Sequence, residues 1–98
     1  PGGIFGITDH RSDSTVDDKG YTCEPCMIRD AEVVGFIYAG SSQINANPKD
    51  TKDYPGGVWN LPPSLRDRGL KKSEIKKMQK LYKQIGESDR YTLKFIKP

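Results

Sequence analysis

Cys23-Glu24-Pro25-Cys26 is the spacing in this chain that most invites chemistry. Two thiols at a helix start share one turn, the helix N-terminus lowers the pKa of the first, and the thiolate is the species that attacks a disulfide. A thioredoxin-like site, however, has a core strand running straight into the motif, and here Asp17-Asp18-Lys19-Gly20-Tyr21 precedes it. The residues favour two incidental helix cysteines over a thiol oxidoreductase using Cys23 and Cys26. Zinc would need two more ligands, and His10 is the only histidine, so no metal is expected. Two cysteines are also too few for the disulfide framework of a secreted mini-protein. His10 itself ends a short apolar run. An imidazole titrates near neutrality, so His10 could serve as a general base, and a merely hydrogen-bonded histidine is an equal alternative. No Gly-rich phosphate cradle and no nucleophile elbow is present.

Charge is the other chemical signal. The net charge of +3 hides a polarity: residues 9–32 carry −4 and residues 66–83 carry +6. Lys71, Lys72, Lys76, Lys77, Lys80 and Lys83 are spread around one helical stretch, which could recruit an anionic partner as a small binding module. The lysines are not interleaved with aromatics and no base-reading signature accompanies them, so a solvated helix face is favoured and nucleic acid is not an expected partner.

These residues need elements to position them. Residues 3–8 form a continuous apolar run without alternation, which reads as a strand buried on both faces. Residues 11–21 read as a loop. A helix starts near Thr22, tolerates Pro25 in its first turn and stops at Gly35; a second strand opens at Phe36-Ile37-Tyr38 and continues towards Ile44. Asn45 to Gly69 has no periodicity, and a loop of that length is uncommon unless it is functional. Its Val58, Trp59 and Leu61 imply that it packs on something. Ile75, Met78, Leu81 or Tyr82, and Ile85 recur at helical spacing over a helix 70–85 with Gly86 as the stop. Tyr91 to Ile96 alternates as a closing strand. The order is strand, helix, strand, long loop, helix, strand: a single small α/β unit over residues 1–98, soluble in composition, with mean hydropathy −0.74. No apolar run approaches the ~20 residues of a membrane span, and no membrane partner is expected. The start at Pro1 rather than Met reads as a processed or truncated chain. That leaves the compartment open, with cytoplasm favoured and any upstream targeting signal out of sight.

Several stretches together resemble the C-terminal part of a class I S-adenosylmethionine-dependent methyltransferase. Pro1-Gly2-Gly3-Ile4-Phe5-Gly6-Ile7 resembles the turn and strand that follow the fourth strand and helix of that fold. Asp9-His10-Arg11, Ser42 to Thr51, Gly57-Val58-Trp59-Asn60-Leu61-Pro62-Pro63 and Ile85 to Phe95 are similar to one bacterial group of predicted methyltransferases. They run in order over nearly the whole chain. The Cys23–Cys26 segment and the lysine-rich helix look less like that group.

The resemblance implies a Rossmann-like fold of which this chain is strand five onward, a single partial domain. S-adenosylmethionine would be the cofactor of the intact parent. Its main binding motifs would lie upstream of residue 1, leaving the chain inactive alone and no cofactor-binding residue assigned. The final strand would run antiparallel between strands five and six, so that Asp9, His10, Arg11, Asn45, Asn47 and Ser88-Asp89-Arg90 converge on one rim, where ligands of open α/β sheets bind. The loop 46–69, with Trp59, would cover that rim like a lid. On this view His10 is the candidate catalytic base. Asp9, Arg11, Asn45, Asn47, Trp59, Asp89 and Arg90 are candidates for holding a small-molecule substrate, with Arg11 and Arg90 facing an anionic group. Each could equally be a structural clamp, and the clamp is favoured. The sheet edges left bare imply either the missing N-terminal half or self-association as partner.

Overall fold

In the computed structural model, which describes residues 2–98, the strand Arg90–Ile96 holds the sheet together. Its alternation places Tyr91, Leu93 and Phe95 on one face, and all three are buried. Numbering in chain order, β1 is Ile4–His10, β2 is Ile37–Ser42 and this closing strand is β3. The sheet order is β1-β3-β2, with β3 antiparallel to both neighbours, so β1 and β2 run parallel to each other with β3 between them. The protein is a small α/β domain with a three-stranded antiparallel sheet and two α-helices.

The first helix, α1 (Glu24–Val33), begins two residues later than the sequence suggests, because Cys23 is its N-cap and Pro25 sits in its first turn, where a missing N–H costs nothing. Ala31, Met27 and Ile28 of α1 pack with Ile7 and Phe36 against Tyr91, Leu93 and Phe95. The second, α2 (Ile75–Ile85), is entered through a 3-10 turn at Lys72–Glu74 and ended by Gly86 at φ +87°, a left-handed cap that glycine adopts freely. Tyr82, not Leu81, is its buried residue.

Residues 45–69 build a second core. Tyr54 and Leu61 pack on Tyr82 with Met78 and Ile85, the Tyr54 and Tyr82 rings lying edge to face at 5.2 Å. Buried Asn60 pins the loop on itself: Oδ1 accepts from the Gly56 amide at 2.7 Å, and Nδ2 donates to the carbonyls of Arg66 and Arg68 at 2.9 and 3.1 Å. Gly57, at φ +60°, lets this loop meet the 11–21 loop, since a Cβ there would collide with the Lys19 backbone. The two cores lie along a molecule of 54 × 23 × 18 Å. Its radius of gyration of 15.8 Å exceeds the roughly 13 Å of a compact chain of this length.

One expectation is overturned. β1 is not buried on both faces: Ile4 is 71% exposed and Phe5 40%. The strand lies at the sheet edge with one hydrogen-bonded neighbour among the described residues, and α1 packs on the other face of the sheet. Antiparallel partners share a face, so Ile4, Ile37 and Ile96 lie together on the side opposite Tyr91, Leu93 and Phe95, and all three are exposed. β2 also ends at Ser42 rather than near Ile44, after a register shift between Tyr38 and Gly40.

Candidate functional site

β1 and β2 end, and β3 begins, at the same edge of the sheet. Chain segments distant in sequence therefore meet there: the 11–21 loop, the turn 43–52 and residues 87–90. Arg11 N donates to the Asp89 carbonyl at 2.8 Å, and Arg90 N to the Asn45 carbonyl at 3.0 Å. The structure thus brings His10, Arg11, Asn45, Asn47, Asp89 and Arg90 to one rim.

Half of this rim is a closed polar knot. The Asp89 carboxylate accepts from the Asn47 amide at 2.9 Å and pairs with Lys52 Nζ at 2.9 Å. Arg11 Nε lies 3.3 Å from the same carboxylate, an ion pair without hydrogen-bond geometry. The Asp89 amide donates to Asp50 Oδ2 at 2.8 Å, and the Asp50 carboxylate accepts from the Tyr21 hydroxyl at 3.0 Å. Burial alone pushes the Asp89 carboxyl up, but the Asn47 amide and the Lys52 and Arg11 cations outweigh it and hold it below the ordinary carboxylate range. Burial likewise favours neutral Lys52, and its bonds to Asp13 and Asp89 overcome this, so its pKa rises. Burial, reinforced by the Asp50 carboxylate, drives the Tyr21 hydroxyl far up.

The knot absorbs several candidate residues. Arg11 also reaches Glu24 at 3.5 Å, Gln43 Oε1 at 2.8 Å and the Arg90 carbonyl at 3.2 Å. Asn47 Nδ2 donates to the carbonyls of Ile85 and Glu87, and its Oδ1 accepts from the Lys49 amide. Asn45 Nδ2 donates to Thr92 Oγ1 at 2.8 Å. Asp9 shares the α1-side face with Tyr91, away from His10, and its carboxylate accepts from the His10 amide at 2.7 Å. Tyr21, Asp50 and Lys52 were not singled out from the sequence. Only Asp50 lies in one of the resembling stretches, and no spacing links these three segments.

The other half of the rim is open. His10 hydrogen-bonds through Nδ1 to the hydroxyl of buried Ser88. The His10 carbonyl accepts from the Thr22 amide at 2.8 Å, and the Tyr21 ring stands edge-on to the imidazole at 6.5 Å. Among the described residues nothing bonds Nε2, and that nitrogen is not sealed from solvent. His10 and Ser88 face a cavity of about 170 Å³ whose other walls include Trp59, Val58, Pro62 and Pro63. The Arg68 guanidinium lies 5.1 Å from the Trp59 ring centre and covers one face of the indole. On the far side of Glu87 and Ser88, a shallower cavity of about 250 Å³ contains Asn45, Asn47 and Arg90. Arg90 is held weakly, 3.9 Å from Glu87.

Cys23 and Cys26 are joined as a disulfide at the N-cap of α1, with Cys23 buried. Among the described residues no group of three His, Cys, Asp or Glu could hold a metal ion, and no helix is long and apolar enough to cross a membrane. The lysines of α2 make no ion pair among the described residues. No family model, curated protein or solved structure matches the chain.

Proposed function

We propose that the chain is the substrate-side, C-terminal part of a class I S-adenosylmethionine-dependent methyltransferase of Rossmann-like fold, with His10 as the base or orienting group for the methyl acceptor. The observation that carries this reading is the strand order: a closing strand set antiparallel between two parallel strands is what the resemblance implies for the end of that fold. The bare outer edge of β1 and the exposed Ile4, Ile37 and Ile96 also support it, because an upstream half would cover such surfaces.

The cavities at the rim, about 170 and 250 Å³, are smaller than the roughly 300–1,000 Å³ of a small-molecule site. They do not fit S-adenosylmethionine, which on this reading is held by residues outside the chain. The chain's own residues take the acceptor. Trp59, Pro62 and Pro63 exclude water from it, and His10, oriented by Ser88, presents Nε2 for a proton. An anionic substrate group would have to be met by Arg90, since Arg11 is engaged by Asp89 and Glu24.

Calorimetric titration with S-adenosylhomocysteine tests the reading. The chain alone should show no heat of binding, and a longer protein carrying these residues should bind. Binding to the chain alone, or none to the longer protein, would contradict it.

The Cys23–Cys26 bond favours a second reading, a thiol–disulfide function. Cys23 is only 2% exposed, so exchange would enter at Cys26. Reduced glutathione should then open the bond and oxidised glutathione re-form it. A bond that resists glutathione while the protein stays folded would remove this reading.

A further inference from the structure

The His10 cavity also carries information about the ligand it suits, and this inference rests on the methyltransferase reading only in treating that ligand as the methyl acceptor. We propose that the cavity binds a single aromatic ring carrying a hydroxyl, a phenol, whose O–H donates to His10 Nε2 while Ser88 accepts from Nδ1–H.

Size sets the first limit. An engineered apolar cavity of 150 Å³ holds benzene, and this one is about 170 Å³, so it has room for one ring. The walls set the second. Trp59 with Pro62, Pro63 and Val58 makes an apolar side that suits an aromatic face, and His10, Ser64, Glu87 and Ser88 make a polar side that suits a hydroxyl. Charge sets the third. Glu87 is the one carboxylate among the lining residues and no lysine or arginine is among them, so a carboxylate or phosphate ligand would face repulsion. Arg11 is turned into the knot by Glu24 and Asp89, and Arg68 lies over the Trp59 ring without being among the lining residues.

The polar pair sets the fourth. Ser88 is buried, and its hydroxyl fixes the ring of His10 through Nδ1, leaving Nε2 as the atom free to receive a bond. An acceptor nitrogen is useful to a ligand that arrives with a proton to share. A phenol, with a pKa near 10 as in tyrosine, is matched to an imidazole far better than an aliphatic alcohol, which holds its proton much more tightly. A neutral amine already exposes its lone pair and gains little from a base. Ser88 is then a positioning residue, acting through His10.

The chain has one tryptophan and one histidine, so the Trp59 indole N–H and the His10 ring each give a single, unambiguous NMR signal. Titration of the 98-residue chain with phenol should shift both, whereas benzoate and the neutral amine aniline at the same concentrations should leave both nearly unmoved. His10→Gln should weaken phenol binding at least tenfold with the fold intact by its amide spectrum. Ser88→Ala should weaken it less and change the tautomer reported by the His10 ring nitrogens, and Ser88→Thr should restore both. With 4-nitrophenol, binding should weaken as pH rises through the ionisation of the probe, because the phenolate has no proton to donate. Tighter binding of benzoate or aniline, phenol shifts unchanged in His10→Gln, or a preference for the phenolate would each overturn the proposal. None of these measurements requires the cofactor. Phenol binding without S-adenosylhomocysteine binding by the longer protein would sink the methyltransferase reading and leave this one standing; the opposite pair of results would do the reverse.

Discussion

Asp89 and Ser88 are neighbours in the chain, yet they belong to opposite kinds of chemistry. The Asp89 carboxylate lies among the Asn47 amide, Lys52 and Arg11, and its own amide is tied to Asp50. Ser88 makes one side-chain bond, to a histidine whose second nitrogen is free and faces no protein partner among the described residues. The first arrangement joins the 11–21 loop, the turn 43–52 and the start of β3. The second leaves a reactive atom beside an open cavity of mixed polar and apolar walls. Charge at a sheet rim is thus no guide to function by itself; what separates clamp from site is whether the polar atoms already have partners.

The largest effect should come from breaking the knot. Asp89→Ala leaves Lys52 and Arg11 facing each other without their shared carboxylate, and urea denaturation should show a loss of roughly 3 kcal/mol, as for other broken buried pairs. A loss below about 1 kcal/mol would class the knot with exposed ion pairs. Tyr21→Phe should cost about 1–2 kcal/mol by removing a buried bond to a carboxylate.

The pH dependence separates the two ends of the knot. The Asp89 pKa is lowered in the folded chain, so its stabilisation is complete above the ordinary carboxylate pKa and declines as pH falls towards the folded value. The Tyr21 and Lys52 pKa values are raised, so their contributions are complete below the ordinary pKa of each, near 10, and decline above it. Thermal melts from pH 2 to 11 should show both arms. Tyr21→Phe should shrink the alkaline arm, to which Lys52, Tyr54, Tyr82 and Tyr91 also contribute, and leave the acid arm in place; an alkaline arm of unchanged size would remove Tyr21 from the account.

A smaller effect belongs to the bare sheet. The chain alone should self-associate through the edge of β1 and the Ile4–Ile37–Ile96 face, and Ile96→Lys should shift sedimentation towards monomer. A wild-type chain that stays monomeric up to millimolar concentration would contradict this.

How much of this was legible from sequence depended on whether the signal was local. The alternation of Tyr91, Leu93 and Phe95, the helical spacing of Ile75, Met78, Tyr82 and Ile85, and the glycine stops at 35 and 86 each act within one turn or one strand, and each marks an element in the structure. β1 was misread because an unalternating run such as Ile4-Phe5-Gly6-Ile7 is the same whether both faces are covered or one is left waiting for a neighbour. The second core could be anticipated from Val58 and Leu61 but not placed, since its partner Tyr82 lies on another element. The knot was not legible: Tyr21 and Asp50 are 29 residues apart and Asp50 and Asp89 are 39 apart, and nothing in their local patterns links them. The His10–Ser88 bond spans 78 residues. Both residues entered the rim only through the topology that the resemblance implied.

The contrast between the two halves of the rim is tested most directly by denaturing Asp89→Asn and His10→Gln side by side with the wild type. Asp89→Asn should lose at least 2 kcal/mol, because the neutral amide cannot replace the carboxylate shared by two partly buried cations, Lys52 and Arg11. His10→Gln should lose only about 1 kcal/mol, the cost of the one bond to buried Ser88. Equal losses in the two variants would mean that His10 is another clamp and that the cavity beside it has no ligand to hold.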